Sequence, residues 1–253
     1  MGKNTNRTVI ITGGNRGIGE AIARAFFDKG YSVLIGARTD TGLDNKLGET
    51  VRFQYADVRS EQDHLGLVKT AIDWTGRIDA YVNCAGFSKW IPVDKVDEQL
   101  WNTMIDTNLK GTFWGCKAAA SVLKSGDSII NISSLAGKRG SANNSVYCAS
   151  KFGVNGITQA LAKELGPRGI RVNAVCPVYI ETDGVIDALK EKYSPAGGKS
   201  IKKYFKEFAQ NNAALKRLPL GREVAELCLY LSSDNASAIT GQCINVDCGV
   251  LPQ

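Results

Sequence analysis

Histidine is nearly missing from this chain of 253 residues, with His64 the only one. The seven cysteines, Cys84, Cys116, Cys148, Cys176, Cys228, Cys243 and Cys248, contain no C-x-x-C pair. Metal-ligand spacing is therefore lacking, and no metal site is expected. An odd number of thiols scattered through apolar segments reads as reduced, mostly buried cysteine rather than a disulfide framework. His64 lies in a polar stretch without ligand partners and reads as a solvated helix residue. No apolar run approaches the ~20 residues that cross a bilayer, so no membrane association is expected. The start, Met1 to Asn6, is polar and runs straight into Val9-Ile10-Ile11. That pattern predicts no signal peptide and a cytoplasmic location. Gly2 does not open a myristoylation pattern, because Asn6 stands where Ser or Thr is required. No linker rich in Pro, Gly and Ser, no repeat and no low-complexity tract divides the chain, so 1–253 is expected to form one domain.

What is present is an ordinary globular composition, 43% hydrophobic and 22% charged, with a net charge of +6. Much of the excess lies between Ile186 and Arg217, where eight Lys and Arg residues face three acidic ones. Such a run is a solvated face unless it attracts an anionic substrate or carrier. No nucleic-acid-binding motif accompanies it, so nucleic acid is not an expected partner.

Short apolar runs alternate with longer helical patterns. Residues 8–12, 32–36, 51–56, 80–83, 128–132, 171–174 and 242–246 read as strands. Residues 17–29, 62–74, 97–124, 147–165 and 222–232 read as helices, the third broken near Asn108 to Gly111. This alternation predicts an α/β fold, a doubly wound parallel sheet with helices on both faces. The polar stretch Thr182 to Leu218 breaks the rhythm around Ser194-Pro195-Ala196-Gly197-Gly198 and reads as a mobile lid over a substrate.

Two motifs carry chemistry. Thr12-Gly13-Gly14-Asn15-Arg16-Gly17-Ile18-Gly19 follows the first strand and opens the first helix. Glycines there let backbone approach a pyrophosphate, and the helix N-terminus supplies free N–H groups. The second strand ends Ile35-Gly36-Ala37-Arg38 without the carboxylate that would hold adenosine ribose hydroxyls. Arg38, joined by Arg16, suits a 2′-phosphate, which predicts NADP(H) over NAD(H); nearby Asp40 is the residue that argues the other way. Downstream, Tyr147 and Lys151 stand four residues apart, one helical turn, so phenol and ammonium share a face. A neighbouring positive charge is expected to lower the phenol's pKa.

Together with Asp57-Val58, Asn83-Cys84-Ala85-Gly86, Asn108, Ser134 and the stretch Pro177 to Thr182, these motifs resemble the short-chain dehydrogenase/reductase family over nearly the whole chain. The resemblance implies a Rossmann-type sheet of about seven strands and hydride transfer between a nicotinamide and an alcohol or carbonyl. It implies that Tyr147 is the proton donor in reduction and that Lys151 tunes it and binds the nicotinamide ribose. Ser134, thirteen residues before Tyr147, would bond the substrate oxygen, a role its neighbour Ser133 could be mistaken for. Asn108 would hold a water linking Lys151 to solvent. Asp57 and Val58 would contact the adenine, Asn83, Ala85 and Gly86 the adenosine side, and Thr182 the nicotinamide amide. Gly13, Asn15, Arg16, Gly17, Ile18, Gly19, Arg38 and Pro177 complete the expected cofactor contacts. The resemblance also implies a homotetramer or homodimer. One departure stands out: Val178 follows Pro177 where the family has glycine, a change expected to restrict that loop.

Phe87, Trp90, Ala136, Asn144 and Tyr179 are expected to face the substrate. Lys89, Lys138 and Arg139, with the basic lid, suggest a polar or anionic substrate such as a sugar acid, a sugar phosphate or an acyl thioester. A plain ketone is the alternative. A non-catalytic nicotinamide sensor or scaffold with the same fold is a further alternative, and retention of Ser134, Tyr147 and Lys151 speaks against it.

Overall fold

The computed structural model describes residues 7–252. Met1 to Asn6, with the leader and lipidation readings placed on them, and Gln253 lie outside the described residues. Seven strands form one sheet in the order β3-β2-β1-β4-β5-β6-β7. They are β1 Thr8–Thr12, β2 Ser32–Ala37, β3 Val51–Tyr55, β4 Ala80–Asn83, β5 Ser128–Ile132, β6 Arg171–Pro177 and β7 Cys243–Val246. Every neighbouring pair is parallel. The doubly wound α/β expectation is met.

Alternation of side chains along buried strands splits the core between the two faces. Val9 and Ile11 pack with Phe26 and Val224, under helices α1 (Gly17–Asp28) and α9 (Gly221–Ser232). Ile10 and Leu34 pack with Leu67, Tyr81 and Ile129 on the other face. That face is covered by α3 (Glu61–Thr75), α5 (Gly111–Ala120) and α6 (Ser145–Leu165). Among the described residues no helix is long and apolar enough to cross a membrane.

The structure adds what the sequence pattern did not show. A short helix α2 (Leu43–Leu47) follows β2, and β6 runs on to Pro177. The expected break in the long 97–124 helix is a π-helical turn, Asp106–Lys110, between α4 (Glu98–Ile105) and α5. The 182–218 stretch is not a featureless loop. It holds α7 (Asp183–Lys190) and α8 (Ile201–Asn212), closed over a small cluster that includes Trp90, Leu189 and Phe205.

His64 overturns its reading as a solvated residue, being 1% exposed. Its Nε2 lies 3.0 Å from the Val58 carbonyl, which can only accept, so Nε2 carries the hydrogen. Nδ1 then accepts from the Tyr81 hydroxyl at 2.7 Å. Burial pushes the imidazole below its ordinary pKa and keeps it neutral. Its neighbour Gln62 is exposed and Asp63 accepts from the Asp57 N–H at 2.7 Å; His64 takes the inward position of the same turn. All seven cysteines are free thiols, with Cys84, Cys243 and Cys248 only partly buried.

Candidate active site

After β3 the chain crosses from one edge of the sheet to β4, on the other side of β1. That reversal opens a crevice at the carboxyl ends of β1 and β4, where ligands of such sheets bind. A cavity of about 850 Å³ occupies it.

The glycine turn forms one wall. Gly13 has φ +67°, and its N–H donates to the Gly36 carbonyl at 2.7 Å. A Cβ on Gly19 would lie 2.0 Å from the Gly13 carbonyl oxygen, and one on Gly13 would lie 2.9 Å from Ala85 Cα. Only glycine fits this packing. No side chain caps the start of α1, so its first N–H groups are available to an anion. Asn15 ties the turn to the loop after β2. Its Nδ2 donates to the Thr39 carbonyl at 2.7 Å, and its own carbonyl accepts from Thr41 Oγ1 at 3.1 Å.

Arg16 and Arg38 are exposed at this end and both line the cavity. Among the described residues neither is in an ion pair. Asp40 does not line the cavity; its Oδ1 accepts from the Gly42 N–H at 2.8 Å and shapes the turn into α2. The next strand end brings Asp57 and Val58 to the cavity. Arg59 engages the Asp57 carboxylate through Nε at 3.0 Å to each oxygen and holds its pKa below the ordinary range. Ala85 and Gly86 line the cavity as expected, but the Asn83 side chain does not. It points into the opposite layer, where Nδ2 donates to Asn131 Oδ1 at 2.9 Å and α5 packs against it through Gly115. The placement of Asn83 along the adenosine side is corrected accordingly: the residue braces β4 against β5.

The other half of the crevice holds the ionisable groups. Lys151, 5% exposed, donates from Nζ to the Ile132 carbonyl at 2.7 Å and lies 5.8 Å from the centre of the Tyr147 ring. The Tyr147 hydroxyl hydrogen-bonds Ser134, whose Oγ also accepts from the Ala136 N–H at 3.1 Å. Ser133 is excluded from that role by direction: its Oγ donates to the Lys151 carbonyl at 3.3 Å, inside the protein. Asn108 is fully buried in the π-turn and clamps the Phe87 backbone. Its Oδ1 accepts from the Phe87 N–H at 3.0 Å, and its Nδ2 donates to the Phe87 carbonyl at 2.8 Å. The Asn108 carbonyl accepts from Thr112 Oγ1 at 2.8 Å. A Cβ on Gly86 would meet Asn108 Oδ1 at 3.0 Å and Lys151 Nζ at 3.7 Å, so these three residues converge.

Burial decides the protonation states. It pushes the Tyr147 phenol up to about 12, against the downward pull of the Ser134 hydrogen bond. It pushes the Lys151 ammonium down to about 8. The expectation that the ammonium would bring the phenol below its ordinary pKa is not met. Desolvation of the phenolate is the largest influence on the group, and the phenol keeps its proton at neutral pH.

Pro177 ends β6 and lines the cavity, and Thr182 caps α7, accepting from the Val185 N–H at 3.4 Å. Thr182 packs against the glycine turn, where a Cβ on Gly17 would lie 3.4 Å from it. Among the described non-glycine residues only Asn143, Lys216 and Cys248 have positive φ. Val178 therefore occupies backbone open to any L-residue and imposes no strain.

A family model described as enoyl-(acyl carrier protein) reductase matches residues 13–251. The 3-oxoacyl-[acyl-carrier-protein] reductase of Chlamydia muridarum is 35% identical over 263 residues, covering 97% of each chain. Among solved structures, a short-chain dehydrogenase/reductase of the glucose/ribitol dehydrogenase type from Brucella melitensis superposes with a TM-score of 0.89, 34% identity and 98% of both chains covered. This chain belongs to the short-chain dehydrogenase/reductase family. It is an oxidoreductase acting on carbonyl and CH–OH groups, with a nicotinamide cofactor. A second solved relative, an actinorhodin polyketide ketoreductase with NADPH, has a TM-score of 0.89 and 32% identity, with 99% of each chain covered.

The 182–218 segment supplies cavity residues that were not singled out in the sequence, above all Tyr204 and Phe208. Their signal was there to read: Ile201, Tyr204, Phe205 and Phe208 recur at helical spacing. The basic residues of the same segment are not in the cavity lining. Lys190 pairs with Asp187, Lys199 with Glu207 and Arg217 with Glu223 on the outer surface. Of the three cations expected at the mouth, Arg139 lines the cavity and Lys89 and Lys138 do not.

Proposed function

We propose that this protein reduces a ketone to a secondary alcohol with NADPH, and runs the reverse oxidation with NADP⁺. The observation that carries this reading is the convergence of Ser134, Tyr147 and Lys151 at one end of a crevice whose other end presents Arg16 and Arg38 without ion-pair partners among the described residues. The glycine turn and the uncapped start of α1 suit a pyrophosphate. Two guanidiniums suit a 2′-phosphate, and Asp40 does not line the cavity. Val58, Ala85 and Gly86 would flank the adenosine, and Asp57 would reach it beside Arg59. Lys151 would bond the nicotinamide ribose, with Pro177 and Thr182 at the nicotinamide ring.

The cofactor supplies the hydride to the carbonyl carbon. Ser134 positions the carbonyl oxygen by hydrogen bonding, and Tyr147 donates its phenolic proton to that oxygen as charge develops on it. A phenol held near 12 is fully protonated before the step. Lys151, charged below about 8, stabilises the phenolate that remains. Asn108 fixes the Phe87 backbone beside this array; a water at its carbonyl would share that oxygen with the Thr112 hydroxyl.

Cytoplasmic location and a homotetramer or homodimer complete the reading. Partly exposed Trp101, Phe113 and Phe152 on α4, α5 and α6 support self-association. The substrate is a small carbonyl compound, with Arg139 available to an acidic group on it. Tyr147→Phe tests the chemistry. It should lower kcat by about 10²–10⁴ while NADPH affinity stays within about twofold; retention of kcat would end this reading.

A further inference from the structure

The crevice has two compartments of different character. Its lining includes four aromatic rings brought together from three separate segments: Trp90 after β4, Tyr179 after β6, and Tyr204 and Phe208 on α8. Tyr179 is the hub. Its ring centre lies 6.4 Å from Trp90, 5.8 Å from Tyr204 and 4.9 Å from Phe208. Phe205 backs the group from inside at 5.9 Å and is itself buried. The hydroxyls of Tyr204 and Tyr179 bond each other at 3.1 Å, so the polar tips of the wall are already partnered. Tyr179, Tyr204 and Phe208 are half-buried, and each lines the cavity. Tyr179 is also close enough to Tyr147 and Arg139 for both to influence its ionisation. The wall and the proton donor line one cavity.

We infer that this compartment selects ketones whose carbonyl sits on, or directly next to, a planar ring, and that Tyr179 is its specificity-determining residue. The inference rests on the reductase reading above and names the substrate class for it. Flat side chains clustered at edge and tilted angles complement a further ring through stacking and edge contacts. A flexible linear chain gains contact with the same wall only by giving up its rotor freedom, whereas a rigid ring has little to lose. Tyr147 and Tyr179 line the same cavity, so a ring joined directly to the carbonyl can reach the wall without a spacer. The lysines of α8 play no part, since none of them lines the cavity.

Two ketones of equal carbon count, 2-indanone and 2-nonanone, separate the possibilities when kcat/KM is measured at saturating NADPH. The full-length protein should favour 2-indanone by at least about tenfold. Tyr179→Leu, which keeps apolar bulk and removes the ring, should lower that preference by about tenfold, and Tyr179→Phe should retain it. Comparing variants by their ratio cancels the intrinsic reactivity of the two ketones. Phe208→Leu, on a different element, should lower the preference by a smaller factor and serves if Tyr179→Leu does not fold. NADPH affinity and melting temperature serve as checks on the fold. Equal losses on both ketones, or a wild-type preference for 2-nonanone, would overturn the inference while leaving the reductase reading intact. Reduction of neither ketone, with NADPH bound, would remove both.

Discussion

The two ends of the crevice are built by different means. At the glycine turn, function resides in backbone: N–H groups at the start of α1, a carbonyl 2.0 Å from where a Gly19 Cβ would stand, and a strand-to-helix path with room for nothing larger. At the 182–218 end, the crevice is lined by side chains, four rings from three segments meeting around Tyr179. Backbone geometry demands particular residues at fixed spacing. A side-chain wall can be assembled from many residue types and many segments.

The contrast is sharpest for two glycines. Gly19→Ala should weaken NADPH binding by about a hundredfold or more in a fluorescence titration, because its methyl group collides with main chain that has nowhere to go. Gly156→Ala, in the middle of α6, meets no protein atom within 4 Å, and Gly156 does not line the cavity. It should leave cofactor affinity unchanged and stabilise the protein by about 0.5–1 kcal/mol in denaturant unfolding. Comparable damage from both would dissolve the special demand on backbone at the glycine turn.

Arg38→Asp is a milder challenge, since it alters a side chain at the backbone-dominated end. NADPH affinity should fall about tenfold to a hundredfold, with NADH affinity unchanged or improved. An unchanged ratio of the two affinities would show that the arginine is only a surface charge.

Acidity provides a third probe. Reduction should decline as pH rises through about 8, where Lys151 loses its charge, although Tyr147 still holds its proton. The same shift has the opposite sign for stability. The unfolded lysine titrates near 10.5, so between about 8 and 10.5 the unfolded chain binds the extra proton and this group's contribution to stability rises with pH. A pH-rate profile set beside melting curves should show the two trends diverging. His64 gives the smallest effect. Its folded pKa lies below its unfolded value, so stability should fall as pH drops below about 6.5, and His64→Gln should flatten that limb.

How legible each feature was follows from the same division. The glycine turn, the Tyr147–Lys151 turn and the break at Asn108 depend on local spacing, and the structure places them where that spacing predicts. Ser134 is separated from Ser133 by a hydrogen bond to the Lys151 carbonyl. The separation from Tyr147 pointed the same way, but the direction of each hydroxyl is a property of the folded strand end. Asn83 misled because it sits in a cavity-facing motif while the pleat turns its side chain toward α5. His64 misled because polar sequence neighbours say nothing about which side of a helix packs inward. The basic 182–218 segment held two patterns at once: helix periodicity sends its charges outward and turns Tyr204 and Phe208 toward the cavity.

Alternating apolar runs, glycine spacing and the four-residue step from Tyr147 to Lys151 were enough by themselves to specify a parallel sheet, a dinucleotide crevice and a phenol–ammonium pair, because each is read from the local pattern of the chain. Folding alone decided which groups share the crevice and in what protonation state. Burial raises the phenol and depresses the ammonium, and it joins rings more than a hundred positions apart, such as Trp90 and Phe208, into one wall. Desolvation and long-range packing belong to the completed three-dimensional arrangement, and no stretch of chain carries them alone.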